Sequence, residues 1–281
     1  MPTTYSANRK ARATIVMVAT LVTVLFSMVI AATTAEAAPP QNTWARIGRA
    51  PLSDAKAASL VTHEPEVRSG NVVTNNYVPS RAQLRTFYNA RDNTGKPIVK
   101  VNRWFAYVTG RPGLKNPSTG DLIQWTAYKW GIPVNPLRAL LVDESWWMTH
   151  GLPALGDRTF VSRAWYYNYP PEARISYRWV WQSMGIAQER WSPDQSKGAG
   201  SNPLRYLSTA FSLDYLGASL RYFYDGKCNW CGGDHHAGQG WASIGAWNEP
   251  KPWGNRKMLA YIARIKHELA LHRWTSSDWP N

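Results

Sequence analysis

The chain has 281 residues, with 32 Lys or Arg against 18 Asp or Glu, which gives a formal net charge of +14. This charge favours an anionic partner, and nucleic acid, anionic lipid and acidic cell-wall polymers all fit that description. Beyond the N-terminal segment the sequence has no internal repeat, heptad pattern or low-complexity run, which excludes a repeat protein and a coiled coil.

The N-terminal segment has the pattern of an export signal. Basic residues precede an uncharged stretch from Ala13 to Ala32, and Ala35-Glu36-Ala37 matches a cleavage site. We therefore predict a signal peptide over residues 1–37 and a secreted or cell-wall-associated protein. The uncharged stretch also has about the 20 residues needed to span a bilayer, so an uncleaved membrane anchor is the alternative.

Residues 38–77 are rich in small and polar residues without a clear period, which predicts a linker or a loosely ordered extension. A helical domain is predicted over residues 78–275. Its first helix is expected to start at the cap residue Ser80 and to include Phe87.

Two longer helices follow, each with recognisable end signals. Ser118 and Asp121 form a capping-box pattern, and Gly131 ends the helix that they open. Asn135-Pro136 predicts the start of the next helix. The apolar stripe of that helix consists of Leu137, Leu141, Glu144 and Met148.

Further helices are predicted from Asn202-Pro203 to Asp225-Gly226 and from Asn255 to Arg273, with short strands within residues 176–188. The predicted class is therefore mainly α, with a small irregular or β element. Trp and Tyr form clusters at residues 146–147, 165–167 and 177–181. Such rings suit stacking on sugars, and the alternative is a tryptophan-rich core.

Two neighbouring acids, Asp143 and Glu144, belong to different sides of their helix. Glu144 falls on the apolar stripe, where lost hydration raises the pKa of a carboxyl toward the range of a general acid. The alternative is a helix-edge carboxylate paired with an arginine. Asp143 is turned by about 100° and is predicted to be a solvated surface residue.

Both cysteines of the chain lie in the motif Cys228-Asn229-Trp230-Cys231. In an exported protein this motif predicts a disulfide between Cys228 and Cys231. A zinc site with Asp234, His235 and His236 is an alternative, but the spacing is poor for tetrahedral zinc. A redox centre is another alternative, but no thioredoxin-like pattern surrounds the motif. We predict no metal and no cofactor.

Three short motifs follow one another in the chain: Glu144-Ser145, Gly185-Ile186-Ala187-Gln188 and Ala246-Trp247-Asn248. Their order resembles that of soluble lytic transglycosylases and goose-type lysozymes, which carry Glu-Ser, Gly-Leu-Met-Gln and Ala-Tyr-Asn. The stretches Trp130-Gly-Ile-Pro and Ser243-Ile-Gly-Ala-Trp are also similar to transglycosylase-like proteins exported by actinobacteria. The resemblance covers roughly residues 78–273.

The resemblance implies an α+β lysozyme-like fold, in which a central helix carries the catalytic Glu and a cleft separates two lobes. It also implies cleavage of the β-1,4 bond between N-acetylmuramic acid and N-acetylglucosamine, with Glu144 as the single catalytic acid and base. Gln188 and Asn248 would contact the substrate, and Ser145 and Ser183 would orient Glu144 or bind an N-acetyl group.

Two positions depart from the family pattern. Ala187 stands where the family has Met, and Trp247 stands where it has Tyr. Trp247 is still predicted to bind substrate, but its indole N–H donates and cannot accept. The segment between Ser145 and Ser183 is also longer than usual, and its aromatic residues are candidates for a glycan-binding wall.

Hydrolysis by activated water would require a second carboxylate near Glu144. The acids that qualify by position are Asp157 and Glu172, between the first two motifs, and Glu189 and Asp194, just after the second.

The expected protein is a secreted monomer that cleaves peptidoglycan glycan strands and also contacts anionic wall polymers. The alternative is a non-catalytic wall-binding protein on the same fold. An exported nucleic-acid-binding protein or nuclease ranks third, because only the charge and the patch Asp234-His235-His236 favour it. No nucleic-acid partner is therefore predicted, and membrane contact is expected only through an uncleaved signal segment.

Overall fold

The computed structural model describes residues 42–149, 155–276 and 279. The predicted signal peptide, residues 1–37, lies outside the described residues. Within the described ranges, no helix combines the length and the apolar character needed to cross a membrane.

Helices dominate the described part of the chain. They are α1 (Asp54–Ala58), α2 (Val72–Asn75), α3 (Arg81–Asn89), α4 (Ile98–Val101), α5 (Thr119–Trp130), α6 (Val134–Ser145), α7 (Arg163–Asn168), α8 (Leu204–Leu207), α9 (Thr209–Tyr224), α10 (Gly240–Gly245) and α11 (Arg256–Leu271). The strands are short: β1 (Arg158–Phe160), β2 (Arg174–Ser176), β3 (Trp179–Trp181), β4 (Ser183–Met184) and β5 (Glu189–Arg190). The prediction of a mainly α protein with a small β element is confirmed.

The main core is formed by four helices, α5, α6, α9 and α11. Helix α6 packs against both α5 and α11, and α5 also packs against α9. Every residue of α5 is buried, and α9 is buried along nearly its whole length. Polar side chains on these helices therefore need partners inside the protein.

A buried charge network joins α5 to α9. Asp214 of α9 is fully buried and accepts hydrogen bonds at 2.7 Å from Lys129 Nζ and from Trp130 Nε1. The backbone N–H groups of residues 109–110 also donate to Asp214. Lys129 contacts the Asp54 carboxylate as well, which ties α1 to the same network.

The segment 42–77 differs from the linker that its composition predicts. The Ala45 N–H donates to the Gly131 carbonyl at 2.8 Å, and the Glu66 carboxylate accepts from the Thr119 N–H, at the start of α5, at 2.7 Å. The polar residues of this segment are partners for groups of the helical domain. Its low hydrophobicity therefore reflects these contacts and not a loose extension.

Several helix ends follow the predicted caps. Ser80 and Ser118 form capping boxes, and Gly131 adopts the left-handed conformation with φ 62°. The helix predicted from Asn202-Pro203 onward is instead interrupted at Ser208, whose hydroxyl caps the first turn of α9. The break has a local cause, because serine is more favourable at a helix N-cap than in a helix interior.

The strands form two small antiparallel sheets in the chain between α6 and α8. The first sheet has the order β1-β3-β2, and β4 pairs with β5 in the second. The first sheet contributes Val180 to a separate small core, whose members are Tyr169, Ala173, Val180 and Met184. The strands predicted within residues 176–188 include β3 and β4.

Candidate active site

A cavity of about 730 Å³ lies where the C-terminal end of α6 meets the segment 183–190 and α11. Its volume is within the range of pockets that enclose small ligands. Five of the predicted site residues line this cavity: Glu144, Ser183, Gln188, Trp247 and Asn248. Residues from all three motifs therefore meet at one place.

Glu144 is the second-last residue of α6. The helix ends abruptly, because Trp146 and Trp147 both adopt left-handed backbone conformations, with φ 52° and φ 60°. Such conformations are costly for bulky residues and are frequent at functional sites. As a result, Glu144 lies at the end of a rigid buried helix and lines the cavity.

The Glu144 side chain is half-buried, since it touches the cavity and is otherwise surrounded by protein. Loss of hydration is the largest cause that raises its pKa to about 8, and the charges of Asp143 and Asp157 also raise it. The Tyr261 hydroxyl opposes this rise by donating a hydrogen bond to Glu144 Oε1, and so does the charge of Arg264. Glu144 is therefore protonated at neutral pH, as a general acid must be.

Tyr261 is a site residue that the sequence analysis did not identify. It is buried on α11 and provides the hydroxyl partner of Glu144 that Trp247 cannot provide. The sequence did contain a signal, because Tyr261 lies between the buried Met258 and Ile265 on the apolar side of α11. A tyrosine in such a position usually has a buried hydrogen-bond partner for its hydroxyl.

Asp143 is not the solvated residue that its position on α6 predicts. Its two carboxylate oxygens accept hydrogen bonds at 3.0 Å from Arg264, and its side chain is only 12% exposed. It also lines the cavity. The difference arises because α11 packs on α6, a contact that the pattern of a single helix does not reveal.

The turn of the second motif depends on its glycine. Gly185 has φ 80°, and a Cβ atom at this position would collide with the Arg205 carbonyl oxygen. Gln188 also has a positive φ, 51°, and its side-chain amide donates to the Gly185 carbonyl at 2.9 Å. The turn thus holds the Gln188 side chain at the cavity wall.

The two serines predicted to bind substrate have different positions. Ser145 is fully buried, is absent from the cavity lining, and donates to the Ile186 carbonyl at 2.7 Å. It therefore joins the end of α6 to the second motif, and its hydroxyl cannot reach a ligand as predicted. Ser183 lines the cavity, and its carbonyl accepts from the Gly156 N–H at 3.0 Å.

The third motif supplies Trp247, which supports the second motif, and Asn248, whose side chain is exposed. The Trp247 indole N–H donates to the Ala187 carbonyl at 2.9 Å, so it supports the second motif as well as lining the cavity. Asn248 is exposed at the cavity. Its side-chain amide makes no hydrogen bond with any residue that the structure describes, which leaves it available for a ligand.

The four acids considered as a second carboxylate divide into two pairs. Asp157 and Glu189 line the cavity, whereas Glu172 and Asp194 do not. Asp157 is paired with Arg190. Glu189 is buried, and neither of its carboxyl oxygens has a hydrogen-bond partner among the described residues.

Burial of Glu189 is the largest cause that raises the pKa of this carboxyl to about 8, whereas the nearby Ser201 hydroxyl lowers it. That hydroxyl donates its own hydrogen bond to the Gly198 carbonyl at 2.7 Å. Glu189 therefore holds a proton at neutral pH without a strong partner. This makes it less suited to act as the base that activates water.

The raised pKa of Glu189 predicts a pH-dependent contribution to stability. Because the folded protein keeps this proton up to about pH 8 and the unfolded chain loses it near 4.5, the contribution is present at low pH and declines as pH rises through this window. Glu189→Gln removes the decline. We expect the difference in Tm between Glu189→Gln and the unaltered protein to increase in favour of the variant as the pH rises from about 4.5 to about 8. Parallel Tm profiles would contradict this, and the exposed Glu172→Gln serves as the control.

The disulfide prediction is confirmed, since Cys228 and Cys231 are bonded to each other. The zinc alternative therefore loses both sulfur ligands. His235 is also engaged, because its ring nitrogens contact the carbonyl oxygens of Cys228 at 3.1 Å and Phe223 at 3.0 Å. This motif is a structural element next to the end of α9.

The sequence leaves two roles open for the aromatic clusters, stacking on sugars and forming a tryptophan-rich core, and the clusters differ in this respect. Trp147 belongs to the main core, and its indole N–H donates to the Arg138 carbonyl at 3.0 Å. Tyr177 and Trp179 are instead exposed, by 80% and 44% of their surface. The first cluster is therefore core, and the cluster around the strands is available for contacts with a partner.

Comparisons with known proteins return no relative of this chain. No family model matches it, and neither the curated proteins nor the solved structures contain a match. The features of the chain that bear on its function are therefore the cavity, the chemistry of its lining residues and the three motifs.

Proposed function

We propose that this protein is an exported enzyme that cleaves peptidoglycan glycan strands, with a lysozyme-like fold of the lytic transglycosylase and goose-type lysozyme superfamily. The observation that carries the proposal is the Glu144 carboxyl, which has a pKa of about 8 and lies in a cavity lined by all three motifs. These motifs are far apart in the chain, and their convergence is what the family resemblance implies.

In the proposed reaction Glu144 begins as the acid. It donates its proton to the oxygen that joins C1 of N-acetylmuramic acid to N-acetylglucosamine, and the C1–O bond breaks. The Glu144 carboxylate then accepts the proton of the muramic acid 6-hydroxyl, whose oxygen forms a new bond to C1. The product is a 1,6-anhydro sugar, Glu144 recovers its proton, and no water is consumed.

The acids whose charges act on Glu144 support this single-carboxyl route. Asp143 is paired with Arg264, and Asp157 is paired with Arg190. Each of these two carboxylates is therefore engaged by an arginine side chain and does not stand free to activate a water molecule. Glu144 is then both the acid and the base, unlike the two carboxyls of most glycosidases.

The other cavity residues have roles that follow from their contacts. Gln188 and Asn248 are the proposed substrate contacts, because their side chains lie at the cavity wall. Ser145 and Trp247 hold the second motif in place through the Ile186 and Ala187 carbonyls. The net charge of +14 suits an acidic wall polymer, and the N-terminal pattern supports a location outside the membrane.

Tyr261→Phe removes a hydrogen-bond donor that stabilises ionised Glu144. Because that bond lowers the pKa of Glu144, its loss raises the pKa above about 8, so Glu144 keeps its proton to higher pH. We expect the alkaline limb of the pH–activity profile on purified peptidoglycan to move to higher pH. Tyr88→Phe, which removes a hydroxyl bonded to the Val108 carbonyl, is the control. An unmoved limb in Tyr261→Phe would argue against Glu144 as the titrating acid.

Incubation of the purified protein with purified peptidoglycan tests the proposed function. We expect clearing of the suspension and release of soluble muropeptides, detected by mass spectrometry. Binding to the insoluble wall without any release would contradict cleavage and would instead support the non-catalytic wall-binding protein.

A further inference from the structure

The first sheet has an outer side that no described element covers. Strand residues alternate between the two sides of a sheet, and Val180 of β3 is buried in the small core. Its neighbour Trp179 is therefore on the other side, directly opposite Phe160 of β1. The two rings lie 5.6 Å apart and are 44% and 48% exposed. With Tyr177 and Arg178 of the β2–β3 turn, they form what we call the sheet surface.

The sheet surface is basic as well as aromatic. Residues 155–181 contain four arginines against two acids. Of the two acids, Asp157 is paired with Arg190 outside this segment, and Glu172 accepts a hydrogen bond from Tyr206. Among the described residues, no carboxylate pairs with any of the four arginines, which are Arg158, Arg163, Arg174 and Arg178.

Two of the four arginines belong to the sheet surface. Arg158 is two residues before Phe160 on β1 and so lies on the same side of the sheet, and Arg178 is in the turn. Arg174 is directly opposite Val180 on the other side, where its guanidinium donates to the Tyr167 and Tyr169 carbonyls, and Arg163 belongs to α7. The charges of Arg158 and Arg178 are therefore available to an anionic partner.

Arg178 occupies a backbone conformation that its residue type disfavours. It has φ 69° in the two-residue turn between β2 and β3, where Asn or Gly is the common choice. The conformation places its guanidinium over the Phe160 ring, 4.3 Å from the centroid, and its Nε donates to the Val161 carbonyl at 2.7 Å. A strained arginine held on an exposed ring is typical of a site with a binding role.

The sheet surface is continuous with the active-site cavity along the chain. Gly156 and Asp157 line the cavity, and β1 begins at the next residue. Phe160 is three strand residues beyond Asp157, which corresponds to about 10 Å of extended chain. Phe160 therefore lies within about 10 Å of the cavity wall at Asp157, a distance that a polymer extending out of the cavity past this wall can span.

We propose that the sheet surface binds the peptidoglycan strand beyond the sugars that occupy the cavity. The exposed Trp179 ring stacks on a sugar ring next to the Phe160–Arg178 pair, and Arg158 and Arg178 pair with the free carboxylates of the stem peptides. A neutral glycan lacks these carboxylates, and a polyol phosphate lacks the flat ring faces. The combination of rings and arginines therefore fits an acidic glycan. This inference rests on the proposed function and extends it to substrate recognition outside the cavity.

Binding to insoluble peptidoglycan stripped of secondary wall polymers tests the inference. All variants are made in the full chain with Glu144→Gln, so that turnover does not change the wall. The double variant Trp179→Ala/Arg178→Asn removes one exposed ring and one positive charge, and Asn is well suited to the positive φ of position 178. We expect it to bind the wall about tenfold more weakly, as the loss of interface anchors does elsewhere.

The matched control is Tyr107→Ala/Arg85→Gln, which also removes one exposed ring and one charge but lies outside the cavity and the sheet. We expect its wall binding to be unchanged. If the first double variant does not fold, as judged by its thermal unfolding, Tyr177→Ala at the exposed tip of the turn replaces it. Equal wall binding by the control and by Trp179→Ala/Arg178→Asn, which we call the sheet variant, would overturn the inference.

Two further ligands test the assignment to an acidic glycan. If the sheet variant loses binding to single-stranded DNA as much as to the wall, or loses binding only to walls that retain their phosphate polymers, the assignment is wrong. Failure of the proposed function would have a different signature. In that case the unaltered chain releases no muropeptides, whatever the sheet variant binds.

Discussion

We expect the substitution Glu144→Gln to lower the rate of the proposed peptidoglycan cleavage by about 10²–10⁴-fold, which is the contribution of a positioned general acid. Gln has nearly the same size as Glu but carries no transferable proton. The carboxyl lies at the end of a rigid helix with its pKa raised to about 8, so the substitution removes the proton source and leaves the cavity shape intact. The measurement is the release rate of soluble muropeptides from purified walls.

Glu268→Gln is the matched control for this loss, because Glu268 also belongs to a packed helix but does not line the cavity. Its activity should equal that of the unaltered protein. Wall binding by Glu144→Gln should also persist, since Gln188, Asn248 and the sheet surface are unchanged. Cleavage at an undiminished rate by Glu144→Gln would remove the basis of the proposed mechanism.

Asp214→Ala has the largest expected effect on stability. The substitution removes the fully buried carboxylate partner of the Lys129 ammonium, which keeps the partly exposed Asp54, and it leaves the Trp130 indole N–H and the N–H groups of residues 109–110 without their acceptor. Breaking a buried ion pair by removing one partner typically costs about 3–5 kcal/mol. We expect a loss of this size in the free energy of unfolding, measured by denaturant titration.

Asp54→Ala provides the comparison within the same network. Asp54 also pairs with Lys129 at 2.7 Å, but its side chain is partly exposed whereas that of Asp214 is fully buried. Because water can replace an exposed carboxylate, the loss at Asp54 should be clearly smaller. An equal or smaller loss at Asp214 would show that the buried network contributes less than its geometry implies.

Local features of the fold were predictable from the sequence because their causes are local. Ser118, Asp121 and Gly131 specify the ends of α5 through contacts within one or two helical turns. The disulfide between Cys228 and Cys231 joins residues that are only three positions apart. The placement of Glu144 on the apolar side of α6 followed from helical periodicity, and this residue does line the cavity.

Features that depend on packing between distant segments were not predictable in this way. Asp143 differs from its predicted exposure because α11 brings Arg264 onto it, and Tyr261 reaches Glu144 from the same helix. Ser145 bonds the Ile186 carbonyl, a partner forty-one residues away, and not a ligand. No periodic pattern contains these contacts, because each arises from the packing of two elements.

The segment 42–77 shows that composition alone does not distinguish a solvated linker from a polar segment packed on the protein. Its small and polar residues are typical of a linker, yet Glu66 accepts hydrogen bonds from the backbone and side chain of Thr119, and Asn71 donates to the Trp147 carbonyl at 2.6 Å. These polar residues hold the start of α5 and the chain that follows Glu144. Composition reports how polar a segment is, but it does not report whether the partner is water or protein.

The most direct test of the central claim is digestion of purified peptidoglycan by the unaltered protein in ¹⁸O-labelled water, followed by mass spectrometry of the released muropeptides. If Glu144 alone acts as acid and then as base, the fragments end in 1,6-anhydro-N-acetylmuramic acid and carry no ¹⁸O. Incorporation of ¹⁸O at a reducing end would contradict the single-carboxyl route, and the absence of any released fragment would contradict cleavage itself.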